Sequence, residues 1–287
     1  QVGQPGTVYV IGNRTANGGS KPCMISQPSF RGENLGNAWW IPGCLAVFPN
    51  YKQQNTKEGI GCASLSPKSM GVVNHNMPNL PPAVSLENFH QFAKVFTKDN
   101  IDLDNGKPSA EWFQRRKKAY ASDKPLRHTP SHDALKKKYK TVPNEWGKAV
   151  YYNNAGVAKD FTYLQSRYFY CWWYTEFCKT GQAKKDLDSL RQKIEDGYNI
   201  VIVGYDGYSE GITESLQNHY EDIKRPFGHE LVLYSLLTIG DPKKYPWEVY
   251  RQENKIYEGY YEPKKDDEED EENNAVDPVL AATNNDG

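Results

Sequence analysis

The stretch "NIVIVGYDGY", residues 199–208, decides the fold. Ile200 to Val203 run together without alternating polar residues, which describes a strand buried on both faces. The Gly-Tyr-Asp-Gly-Tyr that follows reads as the turn closing it. Asp206 then stands just past the strand's carboxyl end, where sheets of this kind face their ligands. Asp-Gly is equally ordinary turn chemistry. Upstream, 184–196 has the period of an amphipathic helix, with Leu187, Leu190 and Ile194 on one face and Gly197 as its stop. Downstream, "RPFGHELVLYSLLTI" forms a buried helix after Pro226.

Working outward, "GTVYVIGN" (6–13) predicts a first strand, Val8 and Val10 alternating with Tyr9 and Ile11. From there to residue 84 the chain is rich in Gly, Pro, Asn and Ser, which is loop chemistry. Helices are predicted over 85–97, opened by Ser85 as N-cap, and over 109–121, again behind a Ser. The stretch 160–179, "DFTYLQSRYFYCWWYTEFCK", predicts a long aromatic helix, apolar over much of its circumference. The organisation expected is α+β: a single, mainly helical domain with a small sheet. Residues 1–84 are its loop-rich N-terminal part, 85–247 its core, and 248–287 an acidic, disordered tail.

Composition narrows the function classes. The 287 residues are 38% apolar and 25% charged, so the chain can bury one substantial core. No run approaches the roughly 18 apolar residues of a membrane-spanning helix, so no membrane partner is expected. Five Cys at irregular spacing, with no CxxC and no Cys/His cluster, predict buried reduced thiols and no metal site. With no signal-peptide pattern, an intracellular protein (cytoplasmic, or in the host cytoplasm or virion if viral) and not a secreted one is expected.

The net charge of −1 hides an asymmetry, because "DDEEDEE" at 266–272 holds seven acids and the rest of the chain is therefore basic. Ten Lys/Arg against two Asp fall in 115–140, a segment that either attracts phosphates or is a solvated loop. The acidic tail is a candidate for protein partners.

The stretch "PPAVSLENFHQFAKVF" (81–96) carries the first candidate site residues. At helical spacing Leu86, Phe89, Ala93 and Phe96 share one side, while Glu87, His90, Gln91 and Lys94 share another. Periodicity by itself is also satisfied by a solvated face, with Glu87 suiting the helix dipole. "FGHELVLY" adds His229 and Glu230 at the start of a helix whose Gly228 permits close backbone approach or an anion at its N-terminus.

Taken in order, these elements resemble the NADAR superfamily, which contains N-glycosidases of ADP-ribosyl and related ribosyl–base linkages. "LENFHQFAKVF" is similar to its Glu-His-Tyr-x-Gln-x-x-Lys helix, "IVIVGYDGY" to its strand-Asp element, and "GHELVLYSLL" to its closing Gly-Asn-x-Leu-Gly helix. A branch found in large DNA viruses and phages, with "ENAWQxSKVY", "PSxEWFxW", "DFDGYD" and "GHAFVL", is closer still to "ENFHQFAKVF", "PSAEWFQRR", "GYDGY" and "GHELVL" here. The resemblance spans about residues 85–240. Asn88 and Phe89 follow the glutamate where the family has other residues, and Gly207-Tyr208 replace an Asp-x-x-Trp-Gly turn.

The resemblance implies an N-glycosidase in which Glu87 activates water or stabilises an oxocarbenium ion and Asp206 does the complementary task. Gln91 and His90 would orient the site, and Lys94 would hold a phosphate or ribose hydroxyl. His229 would open the last helix toward the substrate. Trp146 would be the stacking aromatic, and Arg115 and Arg167 would engage a diphosphate or a polynucleotide backbone. The implied partners are a nucleotide or ADP-ribosyl small molecule, or nucleic acid, and no cofactor is called for. The alternative is a non-enzymatic structural or interaction protein, such as a virion component, on an inherited enzyme fold.

Overall fold

A computed structural model describes residues 3–14, 43–55, 59–128, 137–138, 146–152, 156–209 and 211–251. The strand that opened the reading lies at its centre. β9 (Asn199–Tyr208) runs parallel to β1 (Val8–Arg14) on one side and β2 (Cys44–Phe48) on the other, with β3 (Gly59–Gly61) parallel at the far edge. Val8 pairs with Ile200 and Leu45 also with Ile200, so the first strand is registered against one from the last third of the chain. Ile200 to Val203 are at most 1% exposed, as an unbroken apolar run requires when both sheet faces are covered. The N-terminal part and the core thus share one sheet and one hydrophobic cluster.

Six helices surround the sheets and pack on one another. α1 (Leu86–Phe92) is capped by Ser85, whose hydroxyl accepts the Asn88 amide at 3.1 Å. α2 (Ala110–Ala121) starts behind Ser109, as predicted. The aromatic helix α3 (Tyr163–Phe177) touches α1, the strands β7 (Gly147–Tyr152) and β8 (Ala158–Thr162), and the turns after residue 241, burying Tyr168, Phe169, Tyr170, Trp172 and Tyr174. α4 (Gly181–Glu195) buries Leu187 and Leu190. A short α5 (Leu216–Glu221) leads to α6 (His229–Thr238), which packs on β9 and β1.

Three expected boundaries move. The first helix ends at Phe92 rather than 97, and Lys94–Phe96 become β4, antiparallel to β7 (Gly147–Tyr152). The β-branched and aromatic Val95 and Phe96 satisfy their backbone there, and pairing across the chain overrides a helical period that Ala93 and Phe96 had continued. Likewise Asp160 to Thr162 belong to β8 (Ala158–Thr162), and the long helix starts at Tyr163 behind a capping box formed by Thr162 and Gln165. Between these, β5 (Leu103–Asp104) and β6 (Lys107–Pro108) make a small hairpin.

The C-terminal boundary also shifts. The tail was expected from residue 248, but 3-10 turns at Pro242–Lys244 and Pro246–Tyr250 carry ordered packing on the core to Tyr250. Tyr245 and Trp247 stack with ring centroids 4.7 Å apart, and Trp247 is 1% exposed. The acidic run 266–272 lies outside the described residues. Cys44, Cys62, Cys171 and Cys178 are buried thiols outside any disulfide; Cys23 lies outside the described residues. Among those residues no helix is long and apolar enough to cross a membrane.

Candidate functional site

Glu87 is not on a solvated face. α1 is packed on both sides: Leu86, Asn88, Phe89 and Phe92 are buried in one direction, and Glu87, His90 and Gln91 are partly covered in the other. Asn88 fixes the helix. Its Nδ2 donates to the carbonyls of Ala119 (3.0 Å) and Lys124 (2.9 Å), and its Oδ1 accepts the Leu126 amide at 2.8 Å. The Glu87 amide donates to Pro67 O at 3.2 Å, drawing the Ser66–Ser69 turn, with Lys68, against the same helix end.

Asp206 comes from β9. It sits inside the strand, which continues to Tyr208, and not in a turn beyond it. The parallel pairing resumes at Arg14–Tyr208 after a bulge, which accounts for the two glycines being read as a turn. Gly204, Gly228 and the start of α6 then close in. A Cβ on Gly204 would stand 2.1 Å from Glu230 Oε1. One on Gly228 would stand 2.6 Å from Glu230 Oε2, 2.7 Å from Asp206 Cβ and 3.4 Å from Asp206 Oδ2. Only glycine at these two positions lets Glu230 and Asp206 approach side by side.

The electrostatics show that Glu87 joins them. Burial pushes the Glu87 carboxyl above the ordinary range, and the negative charge of Asp206 adds to that. Lys68, His229 and Lys94 pull it back. Glu230, 1% exposed, is raised by burial and by Asp206, against His229 and the backbone amides of residues 230 and 206. The buried Tyr170 phenol is raised by burial first and then by Glu87, Glu230, Tyr174 and Asp206. One side chain of α3 therefore feels three carboxylates contributed by α1, β9 and α6.

The surrounding groups have defined states. His90 lies 4.8 Å, ring to ring, from Tyr170. Burial, Lys94 and Arg167 hold it well below its usual range, so its imidazole is neutral at pH 7. His229 Nε2 is 2.7 Å from Pro49 O, and since a carbonyl only accepts, that nitrogen carries the proton. Lys94 projects from β4 with Nζ 5.3 Å from the Tyr163 ring centroid.

Other predicted residues have different settings. Gln91 Oε1 takes the His128 amide at 3.5 Å, helping Asn88 to hold the segment after α2. Trp146 lies under Lys98 at 3.6 Å, beside the first residue of β7. Arg115 approaches the buried Asp102 at 4.0 Å, where Asp102 also meets His128 at 3.0 Å. Arg167 was expected to engage phosphate. It is instead 1% exposed and donates to the backbone carbonyls of Tyr220, Asp222 and Arg225, a clamp on the loop before α6.

The basic segment is also less available than its composition suggested. Arg116 is 0% exposed, donates to Tyr120 Oη at 3.0 Å and lies 5.1 Å from the Trp112 ring centroid. Residues 129–136 and 139–140 of that segment lie outside the described residues.

Lys68 and Tyr170 were missed from the sequence, and Glu230 was noted beside His229 at the helix start but given no role. Lys68 sits in loop chemistry and Tyr170 in an aromatic helix that reads as core. Glu230 had one usable signal, an acid one residue past Gly-His at the start of an otherwise apolar helix. A cavity of about 420 Å³ lies elsewhere, between α3, α4, α6 and the C-terminal turns, and its charged residues pair with each other, as in Arg191–Asp188 and Arg251–Glu248. Among the described residues no group of three or more His, Cys, Asp or Glu is arranged to hold a metal ion. No family model, no curated protein and no solved structure matches the chain.

Proposed function

We propose that the chain is a NADAR-like N-glycosidase cleaving a ribosyl–nitrogen bond in an ADP-ribosyl or nucleotide-like substrate, free or in nucleic acid. The observation that carries this reading is that the Asp206 charge acts on the buried Glu87 carboxyl, the two delivered from a strand and a helix far apart in sequence. Departure of the base leaves positive charge on the ribose C1′ and ring oxygen, which nearby carboxylates stabilise before water attacks.

Glu87, whose carboxyl is raised by burial, is the better proton acceptor and activates the water. Asp206 contributes its negative charge to the oxocarbenium ion. Lys68 and Lys94, both close enough to Glu87 to act on it, supply cations for a phosphate at the mouth of the site. His90, neutral at pH 7, offers a hydrogen bond without adding charge.

Incubation with ADP-ribosylated nucleic acid, and separately with ADP-ribosylated nucleobases, tests the reading by release of free base or ADP-ribose. Glu87→Gln keeps the shape of the side chain and removes the base, so turnover should fall by about 10²–10⁴. Folded wild-type protein that releases nothing from either substrate class would reject the reading and leave the non-enzymatic alternative. Glu87→Gln turning over at the wild-type rate would reject the role of Glu87.

A further inference from the structure

Glu230 is a third carboxyl beside Asp206 for which neither the family resemblance nor the mechanism above has a use. It is 1% exposed, yet Oε2 has no hydrogen-bond partner. Burying an unsatisfied carboxylate oxygen beside a second carboxylate is among the costliest arrangements in a protein interior. Cost of that size persists only when the group changes protonation state or serves a neighbour.

We propose that Glu230 is a positioning residue of the site: it carries a proton on Oε2 and donates it to the Asp206 carboxylate, holding Asp206 in place opposite Glu87. This deepens the N-glycosidase reading and rests on it for its functional meaning, while the shared proton stands on geometry. Oε2 and Asp206 crowd the same point beside Gly228, at 2.6 Å from Oε2 and 3.4 Å from Asp206 Oδ2. The other oxygen, Oε1, faces Gly204 and lies 3.6 Å from His229 Nε2. Nε2–H of His229 is directed at Pro49 O, so Oε2 of Glu230 receives no hydrogen bond from it.

A neutral carboxyl has one O–H donor and retains acceptor capacity. The backbone amides of residues 206 and 230 supply donors to it, and the proton supplies what Asp206 accepts. The titratable groups facing Glu230 are Asp206 from β9, His229 from its own helix, and Tyr170 and Tyr174 from α3. Two carboxyls in close contact hold one proton between them more readily than two charges. Burial and the Asp206 charge both move Glu230 in the direction of retaining it.

The test is carbon-13 NMR of protein labelled at the glutamate side-chain carboxyl, which needs no substrate. Wild type should show a protonated glutamate signal at pH 7 that persists in Glu87→Gln, shifts in Asp206→Asn and disappears in Glu230→Gln. On samples found to be active, Glu230→Gln, a neutral donor of the same length, should keep kcat within about threefold, whereas Glu230→Ala should lose about 10–100-fold with KM little changed. The proposal is overturned if no protonated glutamate remains at pH 7 once Glu87→Gln is made. It is equally overturned if Glu230→Gln is as impaired as Glu230→Ala. An inert wild type with the protonated signal present would remove the N-glycosidase reading and leave the shared proton standing.

Discussion

Replacing Asn88 by Ala tests whether the helix that carries Glu87 is held by one buried amide. Asn88 is 0% exposed, and its side chain makes three hydrogen bonds of 2.8–3.0 Å, to Ala119 O, Lys124 O and Leu126 N. Each is worth about 1 kcal/mol net, so their loss alone costs about 3 kcal/mol. The two carbonyls and one amide left behind are at least partly buried, and without water to replace the amide the cost rises toward about 5 kcal/mol. That is a large fraction of the roughly 5–15 kcal/mol that holds a domain together.

Urea unfolding followed by tryptophan fluorescence measures the loss as a lower midpoint at unchanged slope. Hydrogen exchange at the Leu126 amide, the acceptor's direct partner, should accelerate by the same free energy or more. Asn88→Asp retains the acceptor for Leu126 but sets a buried carboxylate oxygen against the two carbonyls, and should destabilise at least as much as Asn88→Ala. A loss below about 1 kcal/mol in Asn88→Ala would refute the reasoning. It would mean that the segment after α2 hydrates at no cost, and that α1 is held by its apolar face alone.

Two further predictions concern buried cations and imidazoles. His75 is 1% exposed, with Nε2 2.8 Å from Pro81 O and Nδ1 accepting the Met77 amide at 2.9 Å; burial lowers its pKa to about 4. The unfolded chain takes up the proton near pH 6.5 and the folded chain only near 4, so stability drops as pH falls through that window, by about 3 kcal/mol. Denaturant midpoints at pH 7 and 4.5 should differ less in His75→Gln than in wild type; an equal difference would show that His75 is not the group responsible. Arg167→Met would leave the carbonyls of Tyr220, Asp222 and Arg225 without their donor, and the melting temperature should fall by about 10 °C or more. An unchanged melt would show that Arg167 is not a clamp.

The elements that could be read from sequence are those whose signal is local. Ser85 and Ser109 announced helix starts because a hydroxyl at the N-cap accepts a backbone amide whatever the rest of the chain does. The run Ile200–Val203 announced a strand covered on both faces, and Leu187 and Leu190 a buried helical stripe. Glu87 and Lys94, Asp206 and His229 stand out in three separate stretches of sequence, and in the folded protein Lys94, Asp206 and His229 all act on the Glu87 carboxyl. Arg167 and Trp146 were legible only as residue types, and a buried clamp and a stacked ring are set by partners distant in the chain.

What the sequence by itself determined is the caps, the apolar periods and the residue types available for a site. Whether 94–96 continue a helix or pair with 147–149, and whether Tyr250 belongs to a tail or packs on the core, was decided only by tertiary structure. The same holds for Glu230, which reads as a charge at the start of a helix until Gly204 and Gly228 bring it against Asp206. The physical reason is common to all three. Backbone pairing, burial and charge coupling depend on separation in space, and local sequence fixes only separation along the chain.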